Sequence, residues 1–466
     1  MNYNNRSLTY ILVLLHLFLV PLLYFKTYLG PIPISVEVIL IPLLAISFVW
    51  EYRKGTITLN NVRILPFIIT FGLFFIVAVI SLINAVSLSA GIMEIARYLS
   101  YVVLFLIVVK VQFSKEQYLN FAKAFAASAL IVVVFGALQY VFNFSLNKAG
   151  LYALQEAKGR VDSTLTNPNY YSAFLNLVMP SILLLAVVYF KEKKVQVLFF
   201  AFYALFVVNL VLTYTRAAWV TCFCALILMV LIMPKAFMKN FIKPQILISF
   251  VIMVVGIYFM PDVQSRTASA LYAVEQLIFP DKEQVEEPTE VEESDLAEVD
   301  PDELAAEMEK ELENETTNRA VVSRVTLWKT GLYMYRDNPV LGVGMGNYYA
   351  RYKDFTEKYK ELDIGHDAYS VHNSYIKVAA ETGTLGILSY ISIYIVYFLY
   401  LVILYFKQEN TIGKVIAAGV FVGSVTYMVQ NLSNNLMFIP QLNIIFWLVG
   451  GLAIAFLHSN KERRLI

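Results

Sequence analysis

One histidine and three arginines stand in the polar stretches of an otherwise apolar chain, and they are of the types that move protons and hold phosphate. His372 opens a segment that reads HNSYIKVAAETG. Asn373 or Ser374 can cap a helix over residues 375–381, and Gly383 would end it. The positive potential at a helix N-terminus favours the neutral imidazole that a general base requires. His372 is thus the candidate base, with a loop histidine bonded to backbone as the structural alternative.

Arg160, Arg216 and Arg324 lie in three separate polar segments. A guanidinium presents a planar fork that matches two phosphate oxygens, so this set indicates a phosphate or pyrophosphate ligand. Arg216 follows a turn of only three residues, which holds it close to the bilayer, where an unpaired cation is costly. Snorkelling of Arg216 to a lipid phosphate is the structural alternative.

Three other features compete for a functional role. His366 lies six residues before His372 and is the rival base. These two histidines lack the ligand spacing of a helical metal site, so we expect no metal. Glu94 and Arg97 are three residues apart on one helix face, where an ion pair is the structural interpretation.

The composition is that of a membrane protein with several spans. Of the 466 residues, 59% are hydrophobic and only 15% are charged, and the mean hydropathy is +0.63. The net charge of +1 gives no reason to expect a nucleic-acid partner. Cys222 and Cys224 lie in one apolar run and are expected to be inert core or lipid-facing thiols. Ile11–Tyr24 reads as the first span, because no small-residue cleavage site follows it.

About twelve apolar runs of near 20 residues predict an all-α protein with about twelve transmembrane helices. The runs are approximately 9–25, 32–50, 64–83, 92–111, 121–143, 170–190, 195–213, 216–233, 245–260, 385–406, 413–431 and 440–457.

Lysine and arginine orient these spans. They recur in every second loop and in the C-terminal tail, whereas the loop at 84–91 has neither. The positive-inside rule then makes both termini cytoplasmic and turns residues 261–384 outward. The predicted units are a bundle of about nine spans over 1–260, a large extracytoplasmic loop over 261–384, and about three spans with a cytoplasmic tail over 385–466.

An acidic insert occupies residues 281–315, which hold 17 of the 35 acidic residues. Such repulsion predicts disorder. Asp300 and Asp302 flank Pro301 like a metal-binding pair, but their surroundings do not pre-organise a site. After the insert, apolar residues at helical spacing from Val321 to Tyr335 predict an amphipathic helix that carries Arg324 and Trp328.

The region from 324 to 386 resembles the large extracytoplasmic loop of the O-antigen ligase and Wzy-type polymerase superfamily. The resemblance covers about 65 positions, which match in order and spacing: Arg324, Trp328, Asp337, Pro339, Gly342, Gly344, Gly346, Asn347, His372, Asn373, Tyr375, Glu381, Gly383 and Gly386.

The resemblance implies a GT-C-like fold in the bacterial inner membrane and a glycosyltransferase whose site faces outward. The implied donor is a glycan on undecaprenyl pyrophosphate, and the implied acceptor is a hydroxyl of a glycan or lipid-glycan. Pyrophosphate is a good leaving group, so no cofactor is expected. The implied catalytic residues are His372, Arg216 and Arg324, and the implied substrate-binding residues are Arg160, Asn373, Trp328, Tyr375 and Gly344.

Several alternatives stay open. The same chemistry serves a polymerase, a ligase or a transfer to protein, and the sequence does not separate them. A flippase or exporter of lipid-linked glycan is the rival from another class, and it would place charges along the full depth of the bundle. A purely structural membrane protein would leave His372 and the arginines unexplained.

A reporter fusion tests the predicted orientation. We expect alkaline phosphatase fused near residue 300 to be active, because the lysine and arginine distribution turns 261–384 outward. A matched fusion at Lys239, in a predicted inner loop, should be inactive. An inactive fusion near residue 300 would contradict the predicted topology.

Overall fold

The computed structural model describes residues 7–23, 26–29, 32–142, 160–259, 324–365 and 369–462, together with 144, 146 and 263. The acidic insert 281–315, with Asp300 and Asp302, lies outside the described residues, as does the rival histidine His366. Within the described part, every predicted span coincides with a helix, and the prediction of an all-α membrane protein is confirmed.

The described elements are helices and one antiparallel hairpin, β1 with β2, which precedes the second helix. Their bounds are α1 Leu8–Leu19, β1 Lys26–Leu29, β2 Ile32–Ser35, α2 Val36–Arg53, α3 Leu65–Ser81, α4 Leu88–Lys110, α5 Lys115–Phe142, α6 Pro168–Leu184, α7 Lys193–Leu212, α8 Arg216–Ile232, α9 Pro234–Phe241, α10 Pro244–Tyr258, α11 324–337, α12 Tyr348–Lys358, α13 Ser374–Lys407, α14 Thr411–Gln430 and α15 Pro440–Glu462.

Fewer helices qualify as spans than the twelve that hydropathy predicts. In the described ranges, eight are long and apolar enough to cross a membrane, or nine if α8 and α9, bent by 113°, form one broken span. The helices α1 and α10 have 12 and 15 residues, short of the ~20 that a 30 Å hydrocarbon core requires. Apolar runs predicted both segments correctly as helices, but α1 ends at Leu19, before the predicted residue 25.

The polar turns that carry the arginines and His372 share one end of the bundle. Gly423 of α14 lies against Leu177 of α6, and Gly419 lies against Ser181, so the two helices are antiparallel. The C-terminus of α14 and the N-terminus of α6 therefore lie at the same end. We call it the site end, and the sequence predicts that it faces outward.

The glycine-rich loop after α11, residues 338–347, packs against a break in α13. Gly383 has φ +67° and ψ −165°, which interrupts the helix between its first turns and its apolar span. The Thr384 N–H donates to the Pro339 carbonyl at 2.8 Å, and the Val343 N–H donates to the Ala380 carbonyl at 2.8 Å. A left-handed conformation and this close approach both require glycine at position 383. The predicted helix end at Gly383 is thus a break, after which α13 continues.

Replacing Gly383 by alanine should destabilise the fold, because a Cβ there would lie 2.2 Å from the Val340 carbonyl. We expect the free energy of unfolding to fall by roughly 1–3 kcal/mol because of overpacking. The left-handed backbone should lower it by about 1–2 kcal/mol more. Thermal unfolding in detergent measures it. Gly72→Ala is the control, since a Cβ at Gly72 meets nothing within 4 Å. Equal melting temperatures for the two variants would refute this account of the break.

Candidate active site

His372 occupies a strained turn directly before α13. Its φ is +49°, a left-handed value that is costly for a residue with a Cβ. Asn373 follows as the N-cap, and its Oδ1 accepts the N–H groups of Tyr375 and Ile376 at 3.0 and 3.1 Å. The amide of Asn373 donates to the Leu432 carbonyl at 2.9 Å. The cap thus leaves His372 at the tip of the turn, as the sequence predicts.

The turn between α14 and α15 supports this tip. The Ser374 N–H donates to the Asn431 carbonyl at 2.9 Å, and its hydroxyl donates to Asn431 Oδ1 at 2.6 Å. The same Oδ1 accepts the Met437 N–H at 2.9 Å. The backbone around His372 is therefore held by a buried asparagine from a distant part of the chain.

Arg324 is the charged neighbour of His372. Burial, and after it the guanidinium of Arg324, lower the pKa of His372 from 6.5 to about 4. The imidazole is consequently neutral near pH 7 and able to accept a proton. From the sequence we expect the helix N-terminus to lower the pKa of His372. In the structure, burial and Arg324 lower it. The ring also lies against Tyr369, with centroids 5.8 Å apart.

The other two arginines lie at the turn between α7 and α8. Arg160 donates from Nε to the Thr213 carbonyl at 2.9 Å and from Nη2 to Thr215 Oγ1 at 3.2 Å. Arg216 is the next residue after Thr215 and opens α8. Tyr214 within this turn also has a positive φ, +48°. Arg160 and Arg216, far apart in sequence, are therefore brought to one place at the site end.

A buried carboxylate holds the segment that follows Arg160. Gln139 of α5 donates to Asp162 Oδ1 at 2.6 Å, and its own Oε1 accepts the Ser163 N–H at 2.8 Å. Burial raises the pKa of Asp162, and the bond from Gln139 opposes that rise. Sequence reasoning missed Gln139, since a single glutamine in an apolar span carries no recognisable spacing signal.

The remaining predicted substrate-binding residues are built into the scaffold. The Tyr375 hydroxyl donates to the Met428 carbonyl at 2.8 Å. Trp328 is half-buried on α11, in a small apolar cluster with Leu327 and Tyr348 as buried members. Gly344 has φ +102° and packs against Ala85. These contacts show how each residue supports the site end.

Two ion pairs lie beneath the glycine-rich loop. Arg97 Nη1 and Glu94 Oε2 are 2.7 Å apart on α4, which confirms the predicted pair. Lys377 Nζ and Glu381 Oε1 are 3.1 Å apart on the first turns of α13, and both side chains are buried. The sequence gives the spacing of the second pair, but burial of both charges becomes visible only in the fold.

Comparison with known families adds one match. Residues 200–391 match the family model described as O-Antigen ligase. The matched segment contains Arg216, Arg324 and His372, while Arg160 precedes it. The match confirms the resemblance that the motifs predict. None of the curated proteins compared with the chain matches it.

The electrostatics of His372 can be tested without an activity assay. The chain has four histidines, so ¹⁵N-histidine labelling gives few signals, and His372→Gln assigns the relevant one. We expect His372 to titrate near 4. Arg324→Gln should raise this pKa, because loss of a nearby cation stabilises the imidazolium. Arg336→Gln, at the far end of α11, is the control. A wild-type titration at 6.5, or no shift in Arg324→Gln, would contradict the arrangement.

Proposed function

We propose that this chain, whose residues 200–391 belong to the O-antigen ligase family, transfers a glycan from undecaprenyl pyrophosphate to an acceptor hydroxyl outside the inner membrane. The family supports a glycan-transferring membrane enzyme with a lipid-linked glycan as a partner. The donor, the sidedness and the residue roles are our inference from the site end.

The observation that carries the proposal is the grouping of one neutral histidine and three arginines at one end of the bundle. His372 has the protonation state of a general base, and Arg324 lies beside it. Arg160 donates to Thr215 in the turn before α8, and Arg216 is the next residue. A base next to phosphate-binding cations is what displacement of a pyrophosphate requires.

The proposed reaction is a direct displacement. The imidazole of His372 takes the proton of the acceptor hydroxyl while that oxygen bonds to the anomeric carbon of the donor sugar. The bond from this carbon to the pyrophosphate oxygen breaks, and the electron pair leaves with undecaprenyl pyrophosphate. Arg216 and Arg324, with Arg160 as a binding residue, stabilise the charge that develops on the leaving group. The imidazolium then returns its proton to water, and the anomeric carbon is inverted.

The other predicted residues act by shaping this site. We propose that Asn373 holds the His372 turn and that Gly344 allows the glycine-rich loop to reach the turn before α4. Trp328 and Tyr375 form the walls next to Arg324 and the first turn of α13. These four residues would contact substrate through the parts of each residue that do not pack against the rest of the protein.

Transport of a lipid-linked glycan without transfer is the second candidate. That function predicts charged residues along the depth of the bundle. In the described part of the chain, buried charged residues concentrate toward the ends of the bundle: Glu94, Lys377 and Glu381 near the site end, Asp162 in the loop before α6, and Glu51 in the last turn of α2. This distribution favours chemistry at one surface over passage through the bundle.

Deletion of the gene in its native host, followed by glycan profiling, separates the outcomes. Short glycans indicate a polymerase, full-length but unattached glycan indicates a ligase, and an unglycosylated protein indicates transfer to protein. Lipid-linked glycan that accumulates on the inner side would instead support the transporter.

His372→Ala should lower turnover by roughly 10²–10⁴-fold, the usual contribution of a positioned base. Donor binding should survive, since the phosphate contacts are assigned to the arginines. His366→Ala, assayed in the same lipid with the same donor, should be much milder. An inactive His366→Ala beside an active His372→Ala would show that the base is misassigned.

Arg216→Lys should lose at least about tenfold in turnover, although it keeps the charge, because lysine lacks the planar fork. Arg216→Ala should lose more. The measurement is transfer from a purified lipid-linked donor, with Arg336→Lys as the control at a distant, exposed arginine. Unchanged activity in both Arg216 variants would reduce this residue to a lipid anchor.

A further inference from the structure

The ion pair between Lys377 and Glu381 is buried where few charges are tolerated. The Lys377 side chain is 6% exposed and that of Glu381 is 1% exposed, with 3.1 Å between Nζ and Oε1. Both residues lie between the His372 turn and the break at Gly383. Buried charges are costly to desolvate, and such a pair is weak evidence for stability alone. Its position next to the candidate base therefore calls for another explanation.

Each member of the pair also contacts a different segment of the chain. Glu381 Oε1 also accepts the Tyr348 N–H at 3.1 Å, at the start of α12 after the glycine-rich loop. Lys377 Nζ lies 3.5 Å from the centre of the Phe438 ring, in the turn between α14 and α15. The pair thus connects the first turns of α13 to both segments that surround them.

The charged groups around the pair and His372 come from two other elements. Glu94 of α4 is the nearest acidic neighbour of Glu381, and it is itself paired with Arg97. Arg324 of α11 faces His372. Each of the two pairs is neutral as a whole, so Arg324 is the charge that acts on His372. Loss of one member of the Lys377 pair would leave a buried charge uncompensated one to two turns from His372.

We infer that Lys377 and Glu381 are positioning residues for the proposed transfer: their ion pair fixes the first turn of α13 and, through it, the left-handed turn that presents His372. A strained φ of this kind persists only where the surroundings over-determine it. Two anchors already hold the backbone after His372, through Asn373 and Asn431. The ion pair adds further anchors, because Glu381 holds the Tyr348 N–H and Lys377 lies on the Phe438 ring, so that the His372 turn cannot relax by rotation of α13. This inference rests on the proposed function.

The test uses the full-length protein in lipid nanodiscs and three substitutions: Lys377→Met, Glu381→Gln and the double variant. Methionine keeps an apolar chain on the Phe438 ring, and glutamine keeps an acceptor for the Tyr348 N–H. Lys377→Arg retains the cation and is the conservative variant. Lys358→Met is the matched control, since Lys358 forms an exposed pair with Asp337.

Two readouts are taken for each variant. One is the rate at which diethyl pyrocarbonate modifies His372 at pH 6, followed by mass spectrometry of the His372 peptide. It reports how the neutral imidazole is held and needs no activity. The other is the division of any loss between kcat and the KM for the lipid-linked donor.

We expect each single substitution to lower kcat by at least about tenfold, with the donor KM changed by less than about twofold, because the arginines stay in place. The His372 modification rate should change severalfold in the same variants. Lys377→Arg should keep both quantities within about threefold of wild type, because it retains the ion pair. The double variant should be impaired in both quantities, like the single variants, because it lacks the pair although it leaves no uncompensated charge. Lys358→Met should match wild type in both.

The inference is overturned if the single variants lose only thermal stability, while the folded fraction keeps the wild-type kcat and His372 modification rate. It is also overturned if the double variant recovers both quantities, because an uncompensated charge, and not loss of the pair, would then explain the single variants. Should the wild type transfer no glycan, the proposed function fails, and the modification rates alone still decide whether the pair positions His372.

Discussion

The turns at the site end depend on asparagine side chains. These side chains form hydrogen bonds with backbone N–H and C=O groups that the apolar side chains of the bundle cannot pair. Asn347 accepts the Ser87 N–H at 2.6 Å and donates to the Ser87 carbonyl at 3.1 Å. Asn373 caps α13, and Asn431 accepts the Ser374 hydroxyl. An unpaired buried peptide group costs about as much as a lost hydrogen bond. These amides therefore allow irregular backbone where the helices end, and a catalytic surface needs such backbone.

Backbone strain marks the same places. Among the described residues, the non-glycine residues with positive φ are Ser163, Thr166, Tyr214 and His372. The first two follow Arg160, the third precedes Arg216, and the fourth is the candidate base. Such conformations concentrate where the surrounding structure holds a functional geometry. Their coincidence with residues chosen for their chemistry supports one shared site for the arginine pair and His372.

Local sequence signals predicted the helices and the cap well, but they did not predict the contacts between segments distant in sequence. Hydropathy located a helix for each predicted span but not α9 or α12, helical spacing located α11, and residue type identified the cap at Asn373. Hydropathy overestimated the length of α1, because apolar residues continue past Leu19 into a turn where Val20 is buried. The contact of Arg160 with Thr215 and the burial of Lys377 join segments distant in sequence, and no local pattern encodes them. Burial by the fold, and then Arg324 from another helix, lower the pKa of His372, and neither cause is visible in the local sequence.

The central claim is that the glycan is transferred from pyrophosphate to an acceptor hydroxyl with inversion at the anomeric carbon. ³¹P and ¹H NMR of one reaction test it: purified protein in nanodiscs, a lipid-linked glycan donor, an acceptor glycan and no nucleotide. The account predicts that the glycosyl pyrophosphate signals convert to free polyprenyl pyrophosphate in step with one new glycosidic linkage of the opposite anomeric configuration. A donor recovered intact, or a new linkage with the anomeric configuration retained, would contradict it.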